Sequence, residues 1–144
     1  MIKKVIEIKR DIEANDMVLL DWFDMQKPNL CAISEKDVEF IVKAKYTHLH
    51  EGDILECEDG YKIKILKSED NIYTLVFEDH ITFARIAYEI GNRHQPICIE
   101  DYKITILEDI STADIVKACE SIDKCDVVKH RGIFKPNGNA HHSH

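Results

Sequence analysis

The sequence lacks the long apolar segment that a membrane-spanning protein needs. None of its apolar runs approaches the roughly 18 residues of a transmembrane helix, and residues 1–10 carry charges throughout. A signal peptide, by contrast, requires an unbroken apolar stretch. The sequence therefore predicts a cytoplasmic protein that does not insert into a membrane.

The cysteine pattern argues against a disulfide-rich or zinc-ribbon protein, and the shortage of basic residues argues against a nucleic-acid-binding protein. The five cysteines are an odd number without a Cys-x-x-Cys pair, which argues against a disulfide framework and a zinc ribbon and predicts reduced thiols. Acidic residues outnumber basic ones by 27 to 19, and the formal net charge is −8. This charge disfavours nucleic-acid binding, because such binding depends on basic side chains that neutralise phosphates.

Motifs that mark common catalytic sites are missing as well. The chain has no glycine-rich phosphate loop, no Gly-x-Ser-x-Gly nucleophile elbow and no His-Glu-x-x-His zinc motif. The carboxylates of Glu56, Glu58 and Asp59 are typical of a solvated turn. We therefore expect a protein that is not an enzyme.

What the sequence does contain is the composition of a folded protein, since 44% of its residues are hydrophobic and 32% are charged. Residues 1–70 carry short apolar or alternating runs typical of strands, which predict a small N-terminal β domain. Trp22 and Phe23 are its expected large core residues. The Asp59-Gly60 pair between two of these runs predicts a hairpin with a two-residue type I′ turn.

Residues 71–133 alternate between strand and helix patterns. The predicted strands are 72–77, 96–99, 103–107 and 126–128. The predicted helices begin at Asp79 and near Ser111, where Ser111 and Asp114 have the spacing of a capping box. The order βαββαβ is that of the split βαβ arrangement, a four-stranded antiparallel sheet with both helices on one face, and the other face is free to carry another subunit. The fold class is therefore α+β, followed by a flexible His-containing tail at 134–144.

The first of these helices ends close to a potential metal ligand. Apolar residues at positions i, i+3, i+4 and i+7 define the face that packs inward, and they are Phe83, Ile86, Ala87 and Ile90. Asp79 is the expected N-cap, Gly91 the expected left-handed residue beyond the last turn, and Pro96 prevents continuation. The pattern thus predicts that His94 lies just outside the helix end on a short rigid connection.

Histidines are the residues most suited to chemistry in this chain. Three of them, His141, His142 and His144, fall in the last four residues, and imidazole binds nickel, copper and zinc. This cluster indicates metal capture, and the alternative is a residual purification tag. His94 is either a further ligand or a surface residue that suits a helix C-terminus. Four other histidines are open to the same two interpretations: His48, His50, His80 and His130.

One motif gives the chain a resemblance to a known family. Residues 84–94 end in Gly91-Asn92-Arg93-His94 and are followed by Pro96. Together with 99–101 and with Gly52-Asp53 and 58–60 in the first half, this stretch resembles the UreE family of urease accessory proteins, the nickel metallochaperones.

The resemblance implies a two-domain protein. Residues 1–70 would engage partners, residues 71–133 would form a ferredoxin-like domain that binds metal and forms the homodimer, and the tail would supply further ligands. His94 would bind nickel together with its counterpart from the second subunit, assisted by His141, His142 and His144.

The function implied is that of a metallochaperone, in which Ni(II) is cargo for the urease metallocentre. The implied partners are the urease accessory GTPase and the urease apoprotein complex, without nucleic acid or membrane. Zn(II) or Cu(II) could occupy the same site, because the Irving–Williams order favours copper at most nitrogen sites. The alternative is a metal-storage or buffering protein that holds ions in its tail and delivers none.

Overall fold

The computed structural model describes residues 1–43 and 49–138. The chain forms two compact units, Met1–Ser68 and Glu69–His144. No helix within the described ranges is long and apolar enough to cross a membrane. His48 and the three histidines of the tail lie outside the described residues.

The first unit is a six-stranded sheet with one short helix. Its elements are β1 (Lys3–Lys9), β2 (Asp16–Leu20), α1 (Trp22–Gln26), β3 (Asn29–Ile33), β4 (Glu39–Lys43), β5 (Ile54–Cys57) and β6 (Lys62–Lys67). The strands lie in the order β2-β6-β5-β1-β4-β3. β1 is parallel to β4 and β2 is parallel to β6, whereas the other neighbours are antiparallel.

Alternation of buried and exposed side chains accounts for the packing of these strands. In β2, Val18 and Leu20 are buried while Leu19 is exposed, and in β6 Ile63 and Ile65 are both fully buried. Successive side chains of a strand point to opposite faces, so each strand buries one apolar row. β6 is thus one of the alternating runs that the sequence of residues 1–70 predicts.

The large core residues of this unit are not the expected ones. Trp22 is half-buried and Phe23 is 44% exposed, whereas Phe40 is 1% exposed and packs in the core. The prediction was wrong because α1 begins at Trp22, where the Asp21 carboxylate caps the helix by accepting from the Asp24 N–H at 2.8 Å. The chain has therefore already left β2 when it reaches the two aromatic residues.

The turn between β5 and β6 is longer than predicted. The Cys57 N–H donates to the Tyr61 carbonyl at 2.8 Å, so the loop between them contains three residues, 58–60. Gly60 has a φ of 88°, but Asp59 does not have a positive φ. Because a type I′ turn needs positive φ at both central residues, the predicted turn is wrong and a three-residue loop closed by a left-handed glycine takes its place.

The second unit is a four-stranded sheet with two helices. Its elements are β7 (Asp70–Phe77), α2 (His80–Asn92), β8 (Cys98–Glu100), β9 (Lys103–Leu107), a 3₁₀ helix (Ile110–Thr112), α3 (Ala113–Glu120) and β10 (Cys125–Gly132). The strands lie in the order β10-β7-β9-β8, and all neighbours are antiparallel.

Both helices and one face of this sheet share a single core. Its buried members are Leu75, Phe77, Ile90, Ile97, Ile104, Ile106, Ile115, Val116 and Cys119. Burial raises the pKa of the Cys119 thiol to about 12, and all five cysteines of the chain are free thiols.

The start of α3 differs from the predicted capping box. Thr112 is the N-cap residue and makes no side-chain capping hydrogen bond, while Asp109 caps the 3₁₀ helix that precedes it. The hydroxyl of Ser111 is buried without a hydrogen-bond partner among the described residues. The Asp114 carboxylate is bound by Arg93 instead, so the predicted capping role of this pair is wrong.

Candidate metal centre at the end of helix α2

Helix α2 is anchored along the predicted face. Ile90 is fully buried, and Phe83, Ile86 and Ala87 pack against the same core. At the other end of the helix the Asp79 carboxylate accepts from the Thr82 N–H at 2.9 Å, as an N-cap does. The predicted stripe and the predicted cap are both confirmed.

The helix ends later than predicted, and this changes the role of His94. α2 continues to Asn92 and includes Gly91, and Arg93 is its C-cap residue. The residue with the left-handed conformation is His94, whose φ is 58°. The expectation that Gly91 adopts this conformation is therefore wrong.

His94 completes a Schellman motif, the hydrogen-bonded turn that often ends a helix. The His94 N–H donates to the Gly91 carbonyl at 3.0 Å, and the Gln95 N–H donates to the Ile90 carbonyl at 3.5 Å. Pro96 follows and prevents further helix. Two hydrogen bonds thus hold the backbone around His94, and His94 itself is exposed.

Arg93, the residue before His94, ties this turn to the start of α3. Its Nη1 donates to the Ser111 carbonyl at 2.9 Å, and its Nη2 donates to the Asp114 carboxylate at 2.8 Å. The hydrogen bonds between Arg93 and Asp114 lower the pKa of Asp114 and raise the pKa of Arg93. The role of Arg93 was not predicted, because it depends on a partner 21 positions further along the chain.

The segment that follows His94 is hydrogen-bonded to the last described residues of the chain. Ile97 forms an isolated antiparallel bridge with Gly138, and the side chain of Asn137 binds the backbone of Ile99. Phe134 is 2% exposed. Residues 134–138 were expected to belong to a flexible tail, but they are part of the folded unit.

The other candidate histidines are scattered. His80 is the exposed first residue of α2. His130 is exposed on β10, where its Nε2 lies 2.8 Å from the Thr74 hydroxyl. His50 lies in the first unit, with Nδ1 3.8 Å from the Asp53 carboxylate. Within 1–43 and 49–138, no three metal-binding side chains come together, so His94 does not belong to a three-ligand cluster among the described residues of its own chain.

Similarity to known proteins identifies the family of this chain. Residues 70–144 match the family model described as UreE urease accessory protein, C-terminal domain. The chain is 61% identical to the urease accessory protein UreE of Aliarcobacter butzleri over 144 residues, which are 100% of this chain and 97% of that protein. It is 30% identical over 130 residues to the protein of the same name from Ruegeria pomeroyi, covering 90% of this chain and 83% of that one.

A shorter match points to the same family. The urease accessory protein UreE of Alcanivorax borkumensis is 33% identical over 96 residues, which are 66% of this chain and 54% of that protein. The matched family model covers the second unit, which carries the His94 turn, and the first of these relatives extends the similarity over the full chain. This chain therefore belongs to the UreE family of urease accessory proteins.

Proposed function

We propose that the protein is a nickel metallochaperone for urease maturation in the cytoplasm, an accessory protein and not an enzyme. It captures Ni(II) at His94 on the interface of a homodimer and delivers the ion for assembly of the urease metallocentre. The observation that carries this proposal is the exposed His94, held in a left-handed conformation at the end of an anchored helix. The name of its relatives, urease accessory protein, supports the destination.

The proposal requires a dimer, because one imidazole per chain is half a site. In an isologous pair the same residue from both chains meets at the two-fold axis, so two His94 side chains converge. We infer that the second unit forms this dimer through the exposed side of α2. Tyr88 and Ile81 are 68% and 53% exposed there, and their spacing of seven residues puts them on one side of the helix.

We also infer a ferredoxin-like arrangement for the second unit. The elements run strand, helix, strand, strand, helix, strand, and the strands lie in the spatial order fourth, first, third, second. Both helices contribute to one core. In this arrangement the end of α2 is free to meet a partner.

The remaining ligands come from the tail in this proposal. His141, His142 and His144 approach the His94 pair and complete the coordination of Ni(II), with Zn(II) or Cu(II) able to occupy the same site. Neutral imidazoles on a surface exchange one by one with the ligands of an incoming protein, whereas a closed thiolate site holds its metal. The first unit engages the partners, which are the urease accessory GTPase and the urease apoprotein complex.

Nickel titration tests the role of His94. We expect His94→Ala to weaken nickel binding by at least about tenfold, since even the loss of an outer partner of a metal ligand has an effect of this size. Isothermal titration calorimetry measures affinity and stoichiometry, and His80→Ala is the matched control because His80 is an exposed histidine of the same helix. Full affinity and stoichiometry in His94→Ala would show that the proposal is wrong.

A nickel-transfer experiment distinguishes a metallochaperone from a storage protein. Nickel-loaded protein is mixed with the urease accessory GTPase, and the nickel content of each protein is measured after separation. A chaperone loses its nickel to the partner, whereas a storage protein retains it.

A further inference from the structure

The end of the described chain is bonded to an edge of the second sheet. β8 is an edge strand, so the backbone groups that point away from β9 need other partners. The Ile97 N–H donates to the Gly138 carbonyl, and the Gly138 N–H donates to the Ile97 carbonyl, each at 2.9 Å. This pair of bonds is the one that an additional antiparallel strand would make.

A single side chain continues this pairing at the next outward-facing residue. The Ile99 N–H donates to Asn137 Oδ1, and Asn137 Nδ2 donates to the Ile99 carbonyl, both at 2.7 Å. An asparagine amide provides one acceptor and two donors, so it can satisfy both groups at once. Neither alanine nor aspartate can do so, because alanine has no polar group and an ionised aspartate has no donor.

Residue 138 also has little room for a side chain beside this strand edge. A Cβ atom on Gly138 would lie 3.1 Å from Ile97 Cγ2, which is closer than side-chain carbons normally approach. Phe134, four residues earlier, is almost completely buried. The segment from 134 to 138 is therefore held at several points.

We propose that Asn137 is a positioning residue that holds the root of the C-terminal histidines beside the strand that follows His94. This inference rests on the proposed function, because it needs the tail histidines to bind nickel. His94 lies three residues before Ile97, and His141 lies three residues after Gly138. The bridge between Ile97 and Gly138 thus pairs two residues that each lie three positions from a proposed nickel ligand.

Chain length shows what the bridge achieves. Three residues span at most about 11 Å, whereas the seven residues from the buried Phe134 to His141 could span about 25 Å. A bridged antiparallel pair has Cα atoms roughly 5.5 Å apart. Fixing residue 138 therefore shortens the tether between the fold and His141, and a shorter tether raises the effective concentration of a linked ligand.

Calorimetric nickel titration of a double-mutant cycle tests the inference. The four proteins are the intact chain, Asn137→Ala, a form that ends at residue 139, and Asn137→Ala in that shortened form. We expect Asn137→Ala to weaken nickel binding by roughly threefold to tenfold in the intact chain and to have no effect in the shortened form. Asn71→Ala is the matched control, because Asn71 is an exposed asparagine of the same sheet that binds Arg131.

The outcomes separate the inference from the proposed function. If shortening weakens binding but Asn137→Ala has no effect, or has the same effect in both lengths, the positioning role is wrong and the tail still binds nickel. If neither shortening nor His94→Ala changes binding, the proposed function and the inference are both wrong.

Amide hydrogen exchange provides a readout without metal. In the intact metal-free protein we expect the Ile99 N–H to be protected and to exchange at least about tenfold faster in Asn137→Ala. Gly138→Ala should act in the same direction through the bridge, with faster exchange of the Ile97 N–H. Unchanged exchange of both amides in these variants would mean that the bonds do not hold the segment in solution, which overturns the inference.

Discussion

At the scale of single residues, His94 occupies a position where glycine is the usual residue. A left-handed conformation brings Cβ close to the following carbonyl oxygen and costs roughly 1–2 kcal/mol for a residue with a side chain. Histidine is among the residues that tolerate it more often. The protein thus keeps a side chain at a turn where glycine would be more stable, and a functional role for the imidazole would account for this.

Exchange of His94 for glycine or alanine measures this cost. We expect the free energy of unfolding of metal-free His94→Gly to exceed that of His94→Ala by about 1 kcal/mol, because only alanine retains the Cβ atom. Chemical denaturation with matched m-values gives the difference. Equal stabilities would contradict the left-handed assignment of residue 94.

Substitution of Gly91 tests whether this residue is helical. It lies inside α2, and a Cβ built on it has no heavy atom within 4 Å. Gly91→Ala should therefore stabilise the metal-free protein by about 0.5–1 kcal/mol, since alanine loses less conformational entropy than glycine in a helix. A destabilised Gly91→Ala, measured by the same denaturation, would instead restore the left-handed role that the sequence suggested for Gly91.

At the scale of elements, the end of α2 and the start of α3 are joined by Arg93 and Asp114. The pairing is bidentate, a geometry that suits guanidinium and carboxylate. The Asp114 side chain is largely exposed, so solvent and salt weaken the interaction. Because Arg93 is the C-cap residue of α2, the pairing ties the point at which the chain leaves α2 to the start of α3.

The shifted pKa of Asp114 makes this link pH-dependent. Its pKa in the folded protein is lowered by the hydrogen bonds from Arg93, so the link contributes stability above the unfolded value of about 3.9 and loses it as the pH falls through the folded value. We expect Asp114→Asn to lower the melting temperature by more at pH 7 than at pH 3, because the contribution is lost progressively below the unfolded pKa. Thermal unfolding in low salt at both pH values checks this, and an equal difference at the two pH values would contradict it.

At the scale of the whole molecule, the proposed site depends on how two chains meet. The exposed side of α2 carries Tyr88 and Ile81, and the outer face of the second sheet also carries an apolar residue, Val128, which is 49% exposed. Either surface could bury apolar area in a dimer. Only the first lies on α2, the helix that precedes His94.

Charge substitution on each surface distinguishes these two arrangements. We expect Tyr88→Glu to convert the dimer to a monomer and to lower nickel affinity, because a buried unpaired carboxylate is costly. Val128→Glu, the matched control, should leave both properties unchanged. Size-exclusion chromatography with light scattering gives the mass, and a monomeric Val128→Glu with a dimeric Tyr88→Glu would place the interface on the sheet.

Local pattern was sufficient for much of the second unit. The apolar stripe of α2, its N-cap at Asp79 and the alternation along β6 are set by neighbours within a few positions, so they can be predicted from short windows. The same is true of the position of His94 outside a helix end. β3 was not foreseen, because only Leu30 of its five residues is buried and the alternation is weak. The length of the β5–β6 loop was also missed, since Asp-Gly fits more than one turn.

Sequence alone determined the family motif, the helix that carries it and the presence of His94 near its end, because these depend on residue types at fixed local spacing. Only the tertiary structure decided that His94 itself adopts the left-handed conformation, that Arg93 binds Asp114 and that Asn137 binds Ile99. The last two depend on partners that the packing of the second unit brings together. Such pairs lie 21 or 38 positions apart, and no short window of sequence contains both partners.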